Sequence, residues 1–243
     1  MNSYEKKALY DLKNWEKNML KKPSFANRIS KGLQTKANSF IPDKVHVVIT
    51  EAIKNMIKAV LVGSKFTTKS PMINASLEER EILVMKKLNF YRKTATLSGA
   101  GTGAGGIIIG LADFPVLLSI KIKFLFDTAS LYGFNVKDYK ERLYILHVFL
   151  LAFSSDEKRI EIYEILKKWN DYSKNLPKDS SFFDWRSFQQ EYRDYIDLAK
   201  MLQLVPWIGA LVGAYANYQL MEKLGKTAMN AYRLRVFKKK VTS

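Results

Sequence analysis

Six of the chain's twelve glycines fall in one stretch, Ser98-Gly-Ala-Gly-Thr-Gly-Ala-Gly-Gly-Ile-Ile-Ile-Gly110. Within it, Gly101-x-Gly103-x-x-Gly106 matches the spacing of a dinucleotide-binding fingerprint, and Asp127 lies about where the ribose-binding acid would. That chemistry needs a strand before the glycines, a helix after them and a second strand ending at the acid. Here Arg92-Lys93-Thr94 closes a helical pattern, Pro115 would sit inside the required helix, and no βαβ alternation follows. The phosphate loop fails on its own terms. Gly101 and Gly106 have the spacing, but Ile107 follows, and Gly225-Lys226-Thr227 has no glycine five positions upstream. Nucleotide binding is therefore not expected.

The other reactive residue types are sparse. Cysteine is absent, which excludes thiolate catalysis, disulfides and thiolate-bound metals. His46 and His147 are the two histidines and do not by themselves make a metal site. Thr96, Ser98 and Thr102 have no histidine that sequence can assign to activate them. Asp113 is the one acid between residues 94 and 126. Asp113-Phe114-Pro115 reads as a helix start, because an aspartate accepts first-turn amides and proline has no N–H to lose there. We expect no catalytic residue, no metal and no cofactor.

A mechanical role suits the glycines better. The pairs Gly99/Gly103, Gly101/Gly105, Gly106/Gly110 and Gly209/Gly213 are each spaced i,i+4. Small residues at that spacing share one helical face and let two backbones approach closely. In water each glycine weakens a helix by about 1 kcal/mol relative to alanine, so close packing or a membrane must offset that. The two segments sit in the longest uncharged runs, Thr94–Ala112 with 19 residues and Met201–Met221 with 21. Both approach the roughly 20 residues that span a bilayer. The first has little bulk before Ile107, and the second contains Gln203, Asn217 and Gln219. A soluble core with the two segments in contact, a monotopic insertion and a full span all remain open at this level.

Charge points to an anionic partner. The 243 residues carry 40 Lys+Arg and 23 Asp+Glu, a formal net charge of +17. Residues 1–97 hold 19 basic and 8 acidic groups. From residue 222 onward Lys223, Lys226, Arg233, Arg235, Lys238, Lys239 and Lys240 stand against one glutamate. Basic residues just beyond an apolar segment are drawn to anionic lipid, so these seven are the expected contacts with an anionic surface. Helix-turn-helix, zinc-finger and aromatic–basic RNA-binding patterns are missing, so nucleic acid is not the expected partner. The opening residues are heavily charged and lack a signal-peptide core, so the chain is expected on the cytoplasmic side.

These groups must be carried on helices. Apolar residues recur at helical spacing over 4–22, Asp43 to Leu61, Leu77 to Leu97, Val116 to Tyr132, from Asp138 on with Leu143, Leu146, Phe149 and Leu150 inward, 156–175, 185–204 and Ile208 to Phe237. Ser76 with Glu79 forms a capping box, Asp138 starts a helix, and Gly133 stands at a C′ position. No stretch alternates as a strand would. The expected fold is all-α, one helical domain over 40–237 in which the glycine-rich segments 98–110 and 206–217 pack together with their glycine faces in contact. A basic amphipathic helix and linker (1–39) precede it, and a basic tail (238–243) follows it.

Several segments together resemble the EcsC family. They are Ile41-Pro-Asp-Lys-Val45, the glycine run from Ser98, Leu111-Ala-Asp-Phe-Pro115 and Ala129-Ser-Leu-Tyr-Gly133. Val205-Pro-Trp-Ile-Gly-Ala-Leu-Val-Gly-Ala-Tyr-Ala-Asn217 and Ala228-Met-Asn-Ala-Tyr-Arg-Leu-Arg235 complete the set. The resemblance spans roughly residues 40–237. It singles out Asp113, Pro115 and Asn217 as motif positions and brings no catalytic residues. The family's name comes from a bacterial operon that also encodes an ABC transporter's ATPase and membrane subunits. The resemblance thus implies a non-enzymatic accessory factor, peripheral or monotopic at the inner face of the cell membrane, with an ABC transporter or other membrane protein as partner. A soluble helical interaction module is the next reading, and a lipid- or small-molecule-handling enzyme the third. Oligomeric state is not legible.

Overall fold

A computed structural model describes residues 1–21, 43–62, 68–102, 106–176 and 209–242. Among them the fold is all-α. In chain order the helices are α1 (Ser3–Met19), α2 (Asp43–Val62), α3 (Leu77–Thr102), α4 (Gly106–Leu131), α5 (Tyr139–Phe153), α6 (Asp156–Lys167), the single turn α7 (Trp169–Tyr172) and α8 (Gly209–Thr242). A 3₁₀ turn, Ser173–Asn175, follows α7. The expected helix over 185–204 lies outside the described residues.

Local chemistry fixes most helix ends. Asn2 and Glu5 cap α1 reciprocally. Ser76 accepts the Glu79 amide at 3.2 Å while Glu79 accepts the Ser76 amide at 2.8 Å, the expected capping box. Asp138 caps α5 through the Lys140 amide at 2.9 Å. At the end of α4, Phe134 donates to the Ala129 carbonyl and Gly133 to that of Ser130. This paired closure needs a left-handed C′ residue, and Gly133 has φ +88°. A side chain there would also collide, since a Cβ would lie 2.7 Å from the Arg80 guanidinium.

One expected helix start is corrected. Asp113 and Pro115 do not open a helix; both lie inside α4, which begins at Gly106. Proline within a helix removes one hydrogen bond and costs about 3 kcal/mol. Pro115 is on the exposed side, where a bend is best tolerated. On the other side α4 completely buries Phe114, Leu117, Ile122, Phe124, Leu125 and Phe126. That burial outweighs the local preference for a break.

The most extensive helix–helix contact is α3 against α8, followed by α3 against α4. Gly225 sits in the first: a Cβ there would fall 2.6 Å from Leu88 Cδ2, so a larger residue would have to displace the end of that side chain for α8 to come this close to α3. Helix α2 lies on α4 and α5, and α1 runs across α8, α3 and α6. Helix α5 is buried on all sides from Leu143 to Phe153, as its apolar sequence, interrupted only by His147, requires. No helix of the described residues is long and apolar enough to cross a membrane.

Candidate functional site

The cations of α8 divide into two groups. Arg233 is buried, and its guanidinium forks onto Glu81 of α3, Nε to Oε1 at 2.7 Å and Nη2 to Oε2 at 2.5 Å. Glu81 is fully buried and also accepts the hydroxyls of Tyr4 at 2.7 Å and Tyr132 at 2.9 Å. Two residues on, Arg235 donates to Glu141 at 2.6 Å, and Tyr232 donates to the same carboxylate at 2.8 Å. Burial pushes the Glu141 carboxyl up, and Arg235 with Tyr232 pulls against that. The Arg235 guanidinium lies 3.7 Å from the Phe134 ring centre and 4.4 Å from that of Tyr144. Arg233 and Arg235, expected from the sequence to face an anionic surface, are each committed to a carboxylate within the fold. The bidentate fork and ring stacking suit arginine to buried partners. Lys223, Lys226, Lys238, Lys239 and Lys240 are exposed, and Lys240 pairs with Glu5 of α1.

The glycine face contact falls largely outside the described residues. Gly103 and Gly105 lie outside them. Gly99 and Gly101 are in the last turns of α3, Gly106 and Gly110 in the first turns of α4, and Gly209 and Gly213 in the first turns of α8. Beyond the glycines, Asn217 of α8 faces Lys121 of α4 across 3.2 Å. Lys121 is completely buried. Its ammonium has three donors, and among the described residues Asn217 Oδ1 is its one acceptor. Burial lowers its pKa from 10.5 to about 7. His147 is likewise buried, held at Nδ1 by the Leu143 carbonyl at 2.8 Å, and burial lowers its pKa to about 4.

A ligand-sized space lies elsewhere. Residues 68–72 run back against the end of α4, tied by the Met72 amide to the Ser130 carbonyl at 2.9 Å and by Ser130 Oγ to the Lys69 carbonyl at 2.5 Å. Between this segment, α3 and α4 lies a cavity of about 610 Å³. Leu83, Lys86, Lys87 and Phe90 give it one helical stripe of α3, and Met72 and Leu131 add further apolar wall. Asp127 sits in it, saturated with donors: Thr68 Oγ1 at 2.8 Å, Tyr91 Oη at 2.9 Å, Lys87 Nζ at 2.9 Å, and Lys123. Burial alone would raise the Asp127 carboxyl, but Lys123, Lys87, Thr68 and Tyr91 hold it below its ordinary range. Such a carboxylate is a fixed charge and a poor general base, because its lone pairs are committed. Three or more His, Asp or Glu side chains do not converge as a metal site among the described residues.

Sequence reasoning met Asp127 only as a failed ribose ligand, and it missed Lys121. A lysine within the apolar run from Val116 to Phe126 was the available signal for Lys121. Nothing local could have announced the cavity, since its walls come from three separate segments.

The model of the EcsC protein family matches residues 6–237. "Protein EcsC" of Bacillus subtilis (strain 168) is 47% identical over 225 residues, 92% of this chain and 92% of the relative. "Uncharacterized protein YdbA" of the same organism is 33% identical over 141 residues, 58% of this chain and 52% of the relative. No solved structure matches. With a family match running from α1 to near the end of α8, and a relative aligned along nearly its whole length, the chain belongs to the EcsC protein family.

Proposed function

We propose that this chain is a peripheral factor that binds the anionic cytoplasmic face of a membrane and serves there as a non-enzymatic accessory to a membrane protein. By the family's association, that protein is an ABC transporter. One observation carries the membrane part. On the outward face of α3, Ile82, Met85, Lys86, Asn89, Phe90 and Lys93 are all exposed and share one side of the helix. Phe90 is 61% exposed and Ile82 48%, opposite the buried Glu81, Val84, Leu88 and Tyr91. Large apolar groups interleaved with lysines suit the headgroup boundary of a bilayer, where ring and ammonium are both satisfied. The exposed lysines of α8 add attraction worth about 1 kcal/mol each near anionic lipid.

Liposome co-sedimentation tests this. Binding should require anionic lipid, weaken as salt rises, and fall in both a Lys238→Gln/Lys239→Gln/Lys240→Gln variant and an Ile82→Ser/Phe90→Ser variant. Salt-resistant binding to neutral vesicles would replace the peripheral reading with insertion. A monodisperse protein that binds neither kind would leave the soluble interaction module as the better account.

A further inference from the structure

We propose that the cavity between residues 68–72, α3 and α4 is a binding site for a single-chain amphiphilic anion, an alkyl carboxylate or alkyl phosphate. Its volume, about 610 Å³, lies within the roughly 300–1,000 Å³ of small-molecule sites. The walls formed by Met72, Leu83, Phe90 and Leu131 offer a hydrocarbon chain contact, and Thr68, Ser70 and Ser130 add neutral hydroxyls beside the charged groups. The polar groups are sorted by sign. Lys69, Lys86 and Lys87 line the space against one carboxylate, Asp127, and that carboxylate is already shared by Lys87 and Lys123. An incoming anion therefore meets an excess of positive charge, with Lys86 exposed and in no ion pair among the described residues. A cationic head would be repelled, and a neutral head would leave the lysines unused. Asp127 has a positioning part, holding the Lys87 ammonium at the cavity.

Lys86 and Phe90 belong both to the cavity lining and to the exposed face of α3, so the site opens beside the surface proposed to meet lipid. That the ligand comes from a membrane rests on the peripheral reading above. Occupancy of the cavity does not, and it can be tested without vesicles. Calorimetric titration of the full chain with dodecanoate, dodecyl phosphate, dodecyltrimethylammonium and dodecanol, all below micelle formation, gives the head-group preference. One anion should bind per chain, with the cation and the alcohol at least tenfold weaker. Tighter binding of dodecanoate would name a free fatty acid as the source, and tighter binding of the phosphate a lipid headgroup. Each methylene contributes about fourfold in affinity, so octanoate should bind on the order of 100-fold more weakly than dodecanoate.

Leu83→Trp should narrow the cavity beside Phe90 and weaken binding at least tenfold. Should that variant fold poorly, Lys86→Glu changes only an exposed side chain and should weaken dodecanoate at least tenfold. The proposal is overturned if neither anion binds, if all four heads bind alike, or if a folded Lys86→Glu chain binds dodecanoate as the parent does. Those results would stand whether or not the protein sediments with liposomes, so the two readings fail separately.

Discussion

Replacing Lys121 by methionine should stabilise this protein, and by an amount that depends on pH. A lysine buried against one amide oxygen titrates at about 7 in the fold, against an ordinary value of 10.5. Between those values the unfolded chain binds the extra proton, so stability rises with pH across the window. At 1.36 kcal/mol per pH unit, the lysine costs the fold about 4 kcal/mol at pH 7 and about 2 kcal/mol at pH 9. Methionine has similar length, is unbranched and carries no proton to lose. It gives up the bond from Nζ to Asn217 Oδ1, a loss of about 1–3 kcal/mol. The variant should therefore exceed the parent by about 1–3 kcal/mol at pH 7, and by about 2 kcal/mol less at pH 9. Urea unfolding followed by circular dichroism at the two pH values measures both. Taking the difference between the two proteins cancels groups that titrate in both. A constant offset between pH 7 and pH 9 would refute the reasoning, because it would mean that Lys121 keeps its proton throughout.

Two further substitutions read the α3–α8 contact. Arg233→Met should cost about 3–5 kcal/mol, since it leaves the buried Glu81 carboxylate with only tyrosine donors. Adding Glu81→Gln should recover part of that loss, and liposome affinity of the folded protein should not change; additive losses in urea would contradict the coupling. Gly225→Ala sets a helix-propensity gain of about 1 kcal/mol against overpacking on Leu88 of about 1–3 kcal/mol. It should be neutral to destabilising alone and stabilising once Leu88 is also alanine, which thermal melting of the three variants would show.

Legibility followed the range of the interaction. The capping box at Ser76 and Glu79, the cap at Asp138 and the left-handed closure at Gly133 each close within five residues, and all were readable from residue types alone. Asp113-Phe114-Pro115 carries an equally good local signal and misleads, because burial of the next three turns of α4 decides the backbone there. The arginines of α8 were visible as charge, but their partners were not. Glu81 stands 152 residues from Arg233, and Glu141 stands 94 from Arg235. Gly225 was noticed only as part of a failed phosphate loop, although it is the glycine at which a close helix approach can be seen.

The distribution of cations along α8 has a physical logic that bears on function. Both arginines turn inward, where a planar, weakly hydrated guanidinium can satisfy a buried carboxylate and stack on rings. Lys223, Lys226, Lys238 and Lys239 are exposed along the same helix, and an ammonium is the more strongly hydrated of the two cations. The acids show the complementary pattern: Glu5, Glu81, Asp127 and Glu141 are buried or nearly so, and each is paired with a cation. These four acids are thus neutralised inside, and the net charge of +17 is carried mainly by lysine. A surface built this way attracts anions without depending on any one contact. Loss of a single lysine should then weaken the proposed membrane binding a little and leave the fold intact. Loss of a single arginine should damage the fold and leave the surface potential nearly as it was.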